Sequence, residues 1–179
     1  FAVIPGPFSS VATWPWTKRL PSREEAEALL NSTPPLRFPT SPTRSHPRVV
    51  VHSTYGKFSV LICSELIEAK RVADLLGRVE LVLSPSWNKD TFSYDHLIQS
   101  VGLQLHCIVG IANNGQYSDC RVWAPKDERY KRDMCRLIER GTDDIVSVVL
   151  PLAELRRIHL GRPQTDDEKW RPLPPDWPS

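Results

Sequence analysis

Cys63 has the surroundings of a nucleophile. The segment Gly56 to Glu65 (GKFSVLICSE) is an apolar run that ends at the cysteine and turns polar at once. A short buried strand that stops at a sharp turn and gives way to a helix-like stretch, here Ile67 to Leu76, pushes a side chain out at the strand's end. A thiol so placed can point into a cleft, and the next backbone N–H, that of Ser64, can stabilise an oxyanion. The competing reading of Cys63 is an inert packed thiol, since free cysteine is among the most buried residue types.

The elements around Cys63 repeat its pattern. Val79 to Pro85 is a second apolar strand, closed by Ser86-Trp87-Asn88. Cys107 to Ala112 is a third, closed by Asn113-Asn114-Gly115, and Asp119 to Pro125 follows. Helical stretches separate the first three, so strand and helix alternate. The near-continuous apolar character of Cys107 to Ala112 suits a strand buried on both faces of an α/β fold. Asn113 is read as closing its strand end through backbone hydrogen bonds. His106 is read as a helix C-terminal histidine.

This ordered set resembles the carbon-nitrogen hydrolase (nitrilase) superfamily. There a Gly-Lys turn leads into a strand ending in the catalytic Cys. The next strand ends in a Pro-Ser-Trp-like turn, the third in Ala-Asn followed by Gly, and a later one in Pro. All four strand ends match in order and spacing, and Trp16-Thr17-Lys18-Arg19-Leu20-Pro21 resembles the family's lysine motif. The resemblance runs from about Trp14 to about Leu155. It implies an α-β-β-α sandwich, two sheets face to face with helices outside, and a Glu-Lys-Cys site that hydrolyses a non-peptide C–N bond.

In that scheme Cys63 attacks an amide, nitrile or carbamoyl carbon, and Lys18 lowers the thiol pKa and stabilises the oxyanion. A second Glu after the lysine falls on Glu24 or Glu25, and the sequence leaves both open. Their competing role is to satisfy the positive end of a helix. Trp87 floors the pocket or caps the core. Glu65 contacts substrate or, as favoured here, holds the turn by hydrogen bonding. The first catalytic Glu has no counterpart, because Phe1 to Thr13 contain no acid. The resemblance therefore implies that the first part of the domain lies outside these residues.

Two departures from the family pattern stand out. Ser64 occupies a position usually held by an aromatic, and Val101-Gly102-Leu103-Gln104-Leu105 replaces an Arg-Ala-x-Glu-Asn-like helix end. Trp87 to Asp90, Asn113 to Asp119, Pro125 to Asp127, Arg132-Asp133 and Leu152 to Arg157 look like the nitrilase-like domain fused to reverse transcriptases in bacterial antiviral defence. The expected partners are a small C–N substrate, the missing part of the polypeptide or a fused reverse transcriptase, and a second copy of the chain.

Composition fits a cytoplasmic globular domain. The chain has 179 residues, 40% of them hydrophobic, and a net charge of +2, which gives no pull toward nucleic acid or membrane. There is no apolar run of about 18 residues and no signal peptide at Phe1. The four cysteines (63, 107, 120 and 135) form no CxxC pair. No metal site is therefore expected, and Cys107 and Cys120 read as packing; no cofactor is expected either.

The expected organisation is a nitrilase-like domain over 1–160 and a Pro/Trp-rich tail over 161–179. Within the domain Ser22 caps a helix with Glu24 and Glu25 in its first turn. Residues 31–47 carry five prolines and read as a surface loop. Arg48 to His52 and Phe58 to Ile62 form a hairpin. Lys126 to Arg140 reads as a solvated helix and loop, and Ile145 to Leu150 as a strand. Pro151 to Ile158 reads as a helix with Leu152, Leu155 and Ile158 on one face. The tail wraps another domain or is disordered.

Overall fold

Ser22 opens the first helix, α1 (Arg23–Leu30), as its sequence predicts. Its hydroxyl accepts from the Glu25 N–H at 3.2 Å, and the Glu25 carboxylate accepts from the Ser22 N–H at 2.6 Å. This reciprocal cap satisfies two donors at the helix start. The computed structural model describes residues 2–5, 11–14, 18, 21–36, 49–138, 145–164 and 169–178. The chain divides into two units, Phe1–Arg44 and Ser45–Ser179. Besides α1, the smaller unit holds β1 (Ala2–Pro5) and β2 (Val11–Trp14), paired antiparallel with Ala2 opposite Trp14. Most of the Pro-rich segment, 37–47, lies outside the described residues.

The larger unit is built on a six-stranded mixed sheet. Its strands are β3 (Val51–His52), β4 (Lys57–Val60), β5 (Leu81–Ser86), β6 (Ile108–Asn113), β7 (Cys120–Trp123) and β8 (Asp133–Leu137), in that spatial order. β4, β5 and β6 are parallel, and the pairings outside them are antiparallel. Two helices supply the crossovers that parallel neighbours require, α2 (Ala69–Ala73) and α3 (Thr91–Gln104). The period-2 alternation of the strands then sorts side chains to two faces. Val82, Val109, Ile111 and Trp123 pack with Val72, Ile98, Val101 and Leu105 from the helices. Leu81 and Ile108 point the other way, onto Leu155 and Ile158 of the last helix, α4 (Leu152–His159).

Gly102 explains one departure from the family pattern. A Cβ there would lie 2.3 Å from Cζ3 of Trp123, so α3 approaches the sheet at a distance that admits only glycine.

Three sequence expectations are corrected. Ile145 to Leu150 forms no strand; Ile145 is 97% and Val149 89% exposed, and β-branched residues with no neighbouring ladder have nothing to pair with. The charged stretch after Pro125 is a solvated helix only at the short 3₁₀ helix Arg129–Lys131. It contains the charged strand β8, and Lys126 is buried, with Nζ 3.7 Å from the centroid of the Trp170 ring and 3.9 Å from Glu154 Oε2. The third correction concerns the tail. Residues 169–178 return to their own unit: Trp170 is buried beside Leu155 and bridges to Lys126, and its large apolar surface outweighs the disorder expected of a Pro-rich end.

Two histidines fasten that tail. His106, just past α3, takes φ 45° and sets its Nε2 2.7 Å from the Arg171 carbonyl oxygen. A carbonyl only accepts, so His106 carries its proton on Nε2. Its Nδ1 faces His159 Nε2 at 3.2 Å, and the same His159 nitrogen lies 2.8 Å from the His106 carbonyl. His159 Nε2 is therefore the donor, and His106, which donates through Nε2 and accepts at Nδ1, is neutral. The Trp177 ring sits 4.4 Å from His159, centroid to centroid. Burial depresses both imidazoles, His159 to about 4.

Candidate functional site

The parallel strands bring three sequence-predicted positions to one edge of the sheet. Cys63 follows β4, Trp87 follows β5, and Asn113 ends β6. Carboxyl ends of parallel strands are where open α/β sheets form ligand crevices. Cys63 itself is 9% exposed and takes φ 49°, a left-handed conformation unusual for any residue but glycine. Such backbone costs on the order of 1–3 kcal/mol and persists only where its surroundings impose it.

Glu65 is what imposes it. A 3₁₀ helix, Cys63–Ile67, starts at the cysteine and contains Ser64 in its first turn. The buried Glu65 carboxylate reaches back to accept the Ile62 N–H at 2.9 Å through Oε2. Its Oε1 takes Arg71 Nη1 at 2.9 Å, and Arg71 Nε in turn binds Glu68 at 2.7 Å. A short chain of charges thus braces the residues on both sides of Cys63. Glu65 holds the turn.

Asn113 does the same for the next strand end. Its Oδ1 accepts the Asn88 N–H at 2.9 Å, and its Nδ2 donates to the Asn88 and Ser118 carbonyls at 3.0 and 2.7 Å. Beside this clamp lies a small cleft lined by Ser86, Asn88, Thr91, Tyr94 and Asn113. Trp87 is 69% exposed, caps no core and is not among the residues that line this cleft. Cys107 is fully buried and its thiol is pushed up by that burial; Cys120 Sγ lies 3.3 Å from the Asn113 amide. Both read as packing residues.

Lys18 and Glu25 meet within the smaller unit. Lys18 Nζ is 2.5 Å from Glu25 Oε2, while Glu24 is exposed. Burial pushes the Glu25 carboxyl up, but Lys18 and the Ser22 cap outweigh it and hold the group below its ordinary value. Sequence reasoning missed Tyr94. Its hydroxyl lies 3.5 Å from Cys63 Sγ, and only the topology joins two residues so far apart in the chain. Among the described residues no group of three or more His, Cys, Asp or Glu could hold a metal ion, and no helix is long and apolar enough to cross a membrane.

No protein-family model and no curated protein matches the sequence. Solved structures match the fold. XC1258 from Xanthomonas campestris, a CN-hydrolase superfamily protein with an arsenic adduct in its active site, superposes with a TM-score of 0.55 at 14% identity, over 89% of this chain and 62% of its own. The fold is nitrilase-like. An amidase from Nesterenkonia sp. AN1, in a mutant with acrylamide added at its active-site cysteine, gives 0.54 at 18% identity over 84% and 57%. Another mutant of that amidase, described as a nitrilase superfamily member, gives 0.53 at 16% over 73% and 47%. This chain therefore spans about half the length of these nitrilase-like structures.

Proposed function

We propose that the chain is part of a cysteine-dependent hydrolase of a non-peptide C–N bond, with Cys63 as nucleophile. The observation that carries this reading is the left-handed φ of 49° at Cys63, at the end of a parallel strand and braced by buried Glu65. A packed, inert thiol needs no such backbone. The Cys63 thiolate adds to the amide, nitrile or carbamoyl carbon, forming an S–C bond. In an amide the C–N bond then breaks, the amine leaves with a proton, and water cleaves the thioester. The family resemblance assigns Lys18 the role of the cation and the Ser64 N–H that of the oxyanion donor, and within the smaller unit Glu25 binds Lys18. The resemblance assigns the base that takes the thiol proton to a Glu.

In its finer form this reading makes the domain the C-terminal part of a reverse-transcriptase-linked defence protein, supported by the sequence runs between Trp87 and Arg157. A native reading frame without a polymerase upstream would end that idea. A silent scaffold is the second reading. Exposed Trp87 favours it, because the site then lacks an aromatic floor. Alkylation at the four cysteines of the full-length protein, followed against pH by mass spectrometry, separates the two. An enzyme site labels Cys63 fast below about pH 7, well under the ~8.5 of a free thiol. Labelling as slow as at Cys135 favours the scaffold, as does a Cys63→Ala variant that retains full biological activity.

A further inference from the structure

Tyr94 is the side chain whose polar atom meets the Cys63 sulfur, at 3.5 Å. Its ring packs against the main core cluster, so the hydroxyl is carried by a side chain anchored in the core. The helix that bears it is fixed at its start, where Asp90 Oδ1 accepts the Ser93 N–H at 3.0 Å. The next residue, Asp95, is tied to the guanidinium of buried Arg121 on β7. Cys63 is held just as firmly by Glu65. Sulfur and phenol therefore face each other from two braced elements rather than by a chance rotamer.

A phenol O–H donates more strongly to a thiolate than to a thiol, because a hydrogen bond to an ionised acceptor is the stronger kind. An elbow that presents sulfur at a strand end also needs something to fix χ1 of the cysteine. The Tyr94 contact supplies both. Resting on the reading of Cys63 as nucleophile, we infer that Tyr94, which lines the cleft with Ser86, Asn88 and Asn113, is a thiolate-stabilising residue that donates its O–H to Cys63 Sγ and fixes the sulfur's position.

Tyr94→Phe removes the donor and keeps the ring. In the full-length protein, iodoacetamide labelling of Cys63 followed from pH 5 to 10 will show the apparent pKa of Cys63 raised by about one unit in the variant, roughly a tenfold loss of rate near pH 6. The plateau rate at high pH and the profiles of Cys120 and Cys135 will be unchanged, which a merely structural effect would not give. Coincident Cys63 profiles, both fast below pH 7, overturn the role of Tyr94 and leave the nucleophile standing. Ordinary, slow labelling of Cys63 in the wild type overturns both together. Should circular dichroism find Tyr94→Phe unfolded, 3-fluorotyrosine at position 94 replaces it. That more acidic donor must lower the apparent pKa of Cys63, and an unmoved profile overturns the inference.

Discussion

Lowering the pH from 7 to 5 will destabilise the larger unit by about 2 kcal/mol through His159 alone. In the folded chain His159 Nε2 donates to the His106 carbonyl, and its ring is covered by Trp177. Burial is the main reason its pKa falls from 6.5 to about 4; His106 and Lys57 push the same way, and the His106 carbonyl and Glu80 oppose. The unfolded imidazole takes a proton below about 6.5 and the folded one only near 4. Between those values the unfolded state holds more protons, so stability drops as pH falls through that window and levels off beneath it. Each unit of difference is worth about 1.4 kcal/mol, which gives about 2 kcal/mol by pH 5 and about 3 below pH 4. His106, shifted in the same direction, adds to the loss. The test is urea unfolding followed by tryptophan fluorescence, for wild type and His159→Gln, at both pH values. Glutamine keeps an N–H donor but does not titrate. The variant will therefore lose about 2 kcal/mol less than wild type between pH 7 and 5, about 1 M in urea midpoint. Parallel losses in the two proteins would refute the reasoning, since acid sensitivity would then arise elsewhere.

Gly102→Ala will destabilise the larger unit by about 1–3 kcal/mol in thermal melts, because the new methyl group meets the Trp123 ring at the closest approach of α3 to the sheet; an unchanged Tm would mean that the helix can shift freely. Glu65→Gln will cost about 1–2 kcal/mol in urea unfolding, since it replaces the charge-assisted bond from half-buried Arg71 to the buried carboxylate by a neutral one and leaves Arg71 the Glu68 charge. The amide oxygen still accepts the Ile62 N–H, so hydrogen exchange at Ile62 will stay protected, and rapid exchange there would contradict the bracing role of the Glu65 oxygens.

What was legible in the sequence was whatever one short segment decides. The Ser22 cap, the turn-holding Glu65 and the Asn113 clamp each join residues a few positions apart or sit at a strand end marked by polar punctuation. The elbow at Cys63 was visible for the same reason. β8 was hidden because an edge strand carries charges on both of its sides, and mixed-sign runs look alike in an edge strand and a solvated helix. Ile145 to Leu150 misled because β-propensity measures fit to neighbours, and this segment has none in the described sheet. The tail was misread since a single anchored tryptophan decides its course. Tyr94 could not be found, because α3 offers no local sign of which residue will meet a sulfur on another element. That Glu25 rather than Glu24 binds Lys18 could not be read either, because both sit in the first turn of one helix.

Cys107 gives the molecule a built-in clock. Its sulfur is sealed in the helix-facing layer of the sheet and carries a thiol held in its unreactive form. Reagent can reach it only while that layer is open, so its labelling rate, divided by that of a free thiol, equals the fraction of time the core spends apart. For a domain of ordinary stability, about 5–15 kcal/mol, that fraction is minute, and slow modification of Cys107 becomes a direct readout of core opening under native conditions.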